Sequence, residues 1–112
     1  MDRTDLETYM TKHGVSLDAL GIKEIGLPRE EALGAIFLIR EAKLPILGGD
    51  VYRQVSSVLM PDCSNWYCEP KSNEGPHVYL QRSWSAAEDY IKNYPVHSDY
   101  VPLFVIVLGK LV

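Results

Sequence analysis

The chain has 112 residues, 46% of them hydrophobic and 23% charged, the size and composition of one soluble globular domain that can bury a core without staples or structural metal. Eleven basic against 15 acidic residues leave a formal net charge of −4, the wrong sign for neutralising phosphates, so nucleic acid and anionic membrane are both disfavoured as partners. The longest apolar run, Leu103 to Leu108, is far short of the roughly 18 residues that span a bilayer, and Met1-Asp2-Arg3-Thr4-Asp5 lacks the apolar core of an export signal. A cytoplasmic location is therefore expected, with Cys63 and Cys68 as reduced thiols.

Taken in chain order, the first predicted element is a short helix, with Thr4 and Glu7 as a capping box, Leu6, Tyr9, Met10 and His13 at helical spacing, and Gly14 as the stop. His13 is expected on its apolar face. Ser16 to Leu20 fits a single helical turn closed by Gly21. Pro28 then suits the first position of a second helix, in which Glu30 and Glu31 complement the dipole and Leu33, Ile36, Phe37, Arg40 and Leu44 trace one stripe. Ala32, Ala35, Leu38 and Ile39 widen that stripe, so this helix is expected to be deeply buried and to end before Pro45.

From Ile46 the period becomes that of strands. Gly48-Gly49 reads as a flexible joint, Val51 to Met60 as extended chain, and Pro61 to Asn65 as turn chemistry. Asn65 to Glu69 and His77 to Arg82 alternate cleanly and are predicted to form an antiparallel hairpin closed by the polar loop Pro70 to Pro76. A third helix is predicted from Ser85, where Ser85-Ala86-Ala87-Glu88 repeats the capping-box pattern, to Tyr94. Leu103 to Leu108 is apolar on both strand faces and is expected at the centre of the sheet. The predicted class is α+β, a small mixed or antiparallel sheet of about four strands with about three helices on one face, all in one domain over residues 1–112.

The sequence carries few signatures of catalytic chemistry. Gly48-Gly49 lacks the further glycine and the Lys-Ser or Lys-Thr of a phosphate loop. Cys63 and Cys68 have no second pair of ligands to complete a tetrahedral metal site, and the strand alternation puts His77 and Cys68 on opposite hairpin faces, away from a Cys-His pair. No cofactor, metal or catalytic residue is assigned, and the chain is read as a non-enzyme. What the segment from Gly48 to Gln81 does carry is tyrosine and carboxylate, with Asp50, Tyr52, Asp62, Tyr67, Glu69, Glu74 and Tyr79 as the candidate partner-binding residues. Tyrosines bury area at low entropic cost and carboxylates steer a basic partner. Trp66 reads as core, with Tyr67 and Tyr79 open to a purely structural role as a cross-strand pair.

Three segments together carry a resemblance. Ile46-Leu47-Gly48-Gly49-Asp50-Val51-Tyr52, then Asn65-Trp66-Tyr67-Cys68-Glu69, then Arg82-Ser83 leading to Ala87, Tyr90, Ile91 and Tyr94, resemble immunity protein family forty of bacterial polymorphic toxin systems, over about Leu33 to Leu108. The resemblance implies a cytoplasmic antidote that binds a cognate toxin domain and blocks it without catalysis. It marks Asp50, Tyr52, Trp66, Tyr67 and Glu69 as characteristic positions without dividing them between fold and interface. A nuclease toxin would offer a basic cleft to this acidic surface. Two alternatives stand beside the antidote, a regulatory or ligand-binding module with a non-toxin partner and an enzyme built on a perturbed carboxylate or the Cys68 thiolate, and the oligomeric state is open.

Overall fold

The structure, a computed structural model, describes residues 3–110. Helix α1 (Arg3–His13) buries Leu6 and stops at Gly14, where a Cβ would lie 2.1 Å from Ile25 Cγ2. Thr4, expected to cap α1, sits within its first turn. His13 is not on an apolar face: it is exposed, its ring 4.5 Å from that of Tyr9. The helical turn expected near Ser16 is present as a 3-10 turn, Asp18–Leu20, closed by Gly21 in the left-handed region. Two short strands flank it, β1 (Val15–Ser16) and β2 (Ile25–Gly26), paired antiparallel. Too brief to show a period, they were invisible to pattern reading.

Helix α2 (Arg29–Ala42) follows Pro28, whose carbonyl accepts the Ala32 N–H. Its buried side is Ala32, Ala35, Ile36 and Ile39. Phe37, expected in that stripe, is 63% exposed, so the apolar arc is narrower than composition suggested. Lys43 takes the left-handed conformation that ends the helix, ahead of Leu44 and Pro45.

The next forty residues differ most from expectation. Strands β3 (Ile46–Val55) and β4 (Val58–Tyr67) form one hairpin about a two-residue turn, Ser56-Ser57. Ser56 has φ 57°, a conformation for which Asn or Gly is the usual signal, and neither is present. The turn residues at Pro61 to Asn65 instead belong to an irregularity inside β4: Asp50 pairs with Asn65 and Tyr52 with Pro61, so Asp62, Cys63 and Ser64 bulge, with Cys63 at φ 71°. Gly48-Gly49 is not a joint but part of β3.

The predicted strand His77 to Arg82 is helical. Helix α3 (Pro76–Asn93) starts with Pro76 in its first turn and buries Tyr79, Leu80, Ser83, Trp84, Ala87 and Ile91. That 3.6-residue spacing runs unbroken through Ser85, which is exposed mid-helix rather than a cap. Val78, which the alternation would bury, is 61% exposed. Six residues of alternation were overruled by eighteen of helical period.

Strand β5 (Val101–Leu108) pairs antiparallel with β3, and the sheet order is β4-β3-β5. β5 is thus at an edge and β3 at the centre, the reverse of the expectation. Its two apolar faces have separate explanations. Phe104 and Ile106 join Val51 and Trp66 in the core under α2 and α3, whereas Leu103 and Val105 pack on Leu17 of the β1–β2 lobe. The edge itself is shielded at one point, where Leu27 exchanges both backbone hydrogen bonds with Phe104. The fold is α+β, with α2 and α3 on the inner face of the sheet.

Candidate partner-binding face

The register decides which residues reach the outer face. Val51, Trp66, Phe104 and Ile106 point to the helices, so their neighbours along each strand point away. On the outside, Tyr67, Gly48 and Val107 stand abreast across the three strands, and Asn65, Asp50 and Val105 form the next row. The β1–β2 lobe covers the far end of this face, over Leu103, Val105, Tyr52 and Leu59. The near end is open. There a groove of about 450 Å³ is lined by Leu47, Gly48, Gly49, Asp50, Tyr67, Glu69, Pro70 and Val107.

The two glycines make this groove possible. A Cβ on Gly48 would lie 2.2 Å from the Trp66 carbonyl oxygen, and one on Gly49 2.2 Å from Cη2 of the Trp66 ring and 2.4 Å from the Val105 carbonyl oxygen. Glycine at 49 therefore lets the tryptophan lie flat against β3, and glycine at 48 lets the β4 backbone pack closely on β3 where Tyr67 and Val107 flank the groove. Trp66 is buried, stacked on Tyr90 with ring centroids 4.7 Å apart. Its Nε1 finds no hydrogen-bond partner among the described residues.

The seven candidate residues divide. Asp50, Tyr67 and Glu69 come together on the groove, and among the described residues neither carboxylate has a salt bridge or a side-chain hydrogen bond. Tyr67 is 77% exposed. Tyr52 shares their face but leans on the lobe, and its hydroxyl pKa is raised by burial and then by the charges of Asp50 and Glu24.

The other three are internal. The bulge in β4 carries Asp62 to a site where Arg53 Nε donates to it at 2.9 Å, Tyr94 at 2.5 Å and Ser64 at 2.6 Å. Burial alone would raise its pKa, but these hydrogen bonds outweigh that and hold the carboxyl at about 2. Tyr94 also meets the Tyr100 hydroxyl at 3.0 Å, and the Arg53 guanidinium lies 4.4 Å from the Tyr100 ring centroid. Glu74 is clamped by Arg82, whose Nε and Nη2 donate at 2.6 and 2.7 Å, and accepts the Lys71 N–H at 3.0 Å; the hydrogen bonds from Arg82 lead in lowering its pKa to about 2. Arg82 also donates to the Glu69 carbonyl at 2.6 Å and to Cys68 Sγ at 3.1 Å. Tyr79 is buried and donates to the Cys68 carbonyl at 2.7 Å. It forms no cross-strand pair with Tyr67, because it stands on α3. Together Tyr79, Arg82 and Glu74 fix the loop after β4 that presents Glu69.

Sequence reading missed Arg53, Arg82, Tyr94 and Tyr100 as organising residues. Their partners lie between six and fourteen residues away or on another element, and no periodicity reports such pairings. His77 is exposed on α3 and Cys68 is buried beneath Arg82, an arrangement with no thiol-imidazole pair. Both cysteines are free. Among the described residues no helix is long and apolar enough to cross a membrane.

The family model described as Immunity protein 40 matches residues 16–108, from β1 to the end of β5. No curated protein and no solved structure matches the chain.

Proposed function

The chain belongs to the immunity protein 40 family, and from that premise we propose that it is a cytoplasmic antidote that docks stoichiometrically on a cognate toxin domain and blocks it without catalysis. The observation that carries the reading is the convergence of Asp50, Tyr67 and Glu69 on one open groove, while Asp62, Glu74 and Tyr79 hold the protein together. An exposed tyrosine beside aliphatic Leu47 and Val107 offers the rigid apolar contact of a binding hot spot, and unpaired carboxylates at its margin steer a basic partner. The occlusion mechanism follows from this charge: a toxin whose substrate is anionic needs a basic cleft, and the acidic face competes for it. A nuclease is the toxin class that fits.

The test begins with capture of the partner by the tagged chain and expression of that partner with and without it. The expected result is a toxin that arrests growth alone and is harmless beside the wild-type chain, with protection lost on Tyr67→Ala or on Val107→Trp, which fills the groove. Full protection by both variants, with the toxin still bound, would contradict the assignment of this face.

A further inference from the structure

We propose that the groove beside Gly48 receives a single cationic side chain, an arginine, projecting from the partner; this rests on the reading of the outer face as the toxin-binding surface. Tyr67, Gly48 and Val107 lie side by side on three adjacent strands, and the groove over them forms a slot with an aromatic wall on one side and an aliphatic wall on the other. No larger residue can close it, because a Cβ at Gly48 would strike the β4 backbone at Trp66 O. The slot is charged at both margins. Asp50 stands one row along the face, and Glu69 sits on the clamped loop after β4.

Among the described residues no cation lines this groove of about 450 Å³, and none consumes Asp50 or Glu69. The contrast with Asp62 and Glu74, each already holding an arginine of the chain itself, is chemical as well as positional. A long cationic side chain satisfies every wall at once. Its methylenes lie against Leu47 and Val107, its charged end reaches a carboxylate, and the Tyr67 ring adds a cation-π contact. A neutral apolar side chain would fill the same volume but leave two carboxylates desolvated and unpaired, which disfavours it.

The experiment is a titration of the isotope-labelled full chain with Nα-acetyl-arginine methylamide, with the citrulline analogue as a neutral isostere, followed by amide shifts. Saturable shifts at Gly48, Gly49 and Val107 in a roughly millimolar range are expected, as suits a small ligand. Citrulline should bind at least about tenfold more weakly, and the Asp50→Asn/Glu69→Gln double variant, whose dispersed spectrum reports its fold, should lose the arginine response. Equal response to both probes, or shifts elsewhere, would overturn the proposal. Capture of the toxin separates this from the wider reading. If the probe fails while Tyr67→Ala and Val107→Trp still lose the toxin, the face stands and the cation is refuted. If the probe binds but both variants keep the toxin, the slot holds a guanidinium that is not the toxin's, and the proposal falls.

Discussion

Asp50 and Asp62 lie twelve residues apart in sequence on paired strands, and they have opposite surroundings. Asp62, its side chain 4% exposed, is enclosed by Arg53, Tyr94 and Ser64 on the helix-facing side. Asp50 faces outward beside an open groove and has no such partners among the described residues. Glu74 and Glu69 repeat the contrast within one loop, the first locked to Arg82 and the second lending that arginine only its carbonyl. Residue type is the same in each pair; the partner supplied by the fold decides whether a carboxylate stabilises the chain or stays available to another molecule. Charge reversal at Glu74 would therefore disturb the loop rather than probe the interface cleanly.

The largest effect is expected at Gly49→Ala, because the added Cβ meets the Trp66 ring and the Val105 carbonyl on the inner side; urea unfolding should show a loss of about 3 kcal/mol. Asp62→Ala comes next. It removes the shared acceptor of Arg53, Ser64 and Tyr94, leaving the Tyr94 hydroxyl with Tyr100 alone, and costs about 2 to 3 kcal/mol in the same assay, while the folded variant keeps its affinity for the toxin. On the outer face, Tyr67→Ala should invert this result, weakening toxin binding about thirtyfold with stability changed by no more than about 0.5 kcal/mol.

A smaller effect concerns acid. The folded pKa of Asp62 is about 2, below its ordinary 3.8, so the native state binds the proton less readily than the unfolded chain. The stability it lends is complete above about pH 4 and is lost as pH falls towards 2. Glu74 titrates in the same direction. Denaturation midpoints measured through that window should fall steeply for the wild-type chain and less steeply for Asp62→Asn. An identical slope for the two would remove Asp62 from the acid limb.

Much of the helical half was legible because long periodic segments announce themselves: α1, α2 and the later part of α3 follow from Leu6, Ile36 and Ile91 and their neighbours. The strand half was less so, for identifiable reasons. Ser56-Ser57 makes a tight turn without the usual residues, while Pro61 and Asp62 carry turn chemistry into a bulge. Leu103 to Leu108 is apolar on both faces although it is an edge strand, since the lobe from Val15 to Gly26 supplies a second covering that the sequence did not reveal. Of the candidate site, the residue types were legible and the sorting was not. Asp50, Tyr67 and Glu69 share a groove only because β3 pairs with β4 in one particular register, and Glu74 is withdrawn from it by an arginine on a helix that alternation had read as a strand.

Hydrogen-deuterium exchange of the chain, alone and in complex with its captured toxin domain, would show whether the open end of the outer sheet face meets the toxin. Slowed exchange is expected in the groove segments at residues 47–50, 67–70 and 107, with the exposed surfaces of α2 and α3 unchanged. Protection confined to those helices, with the groove exchanging as in the free protein, would contradict it.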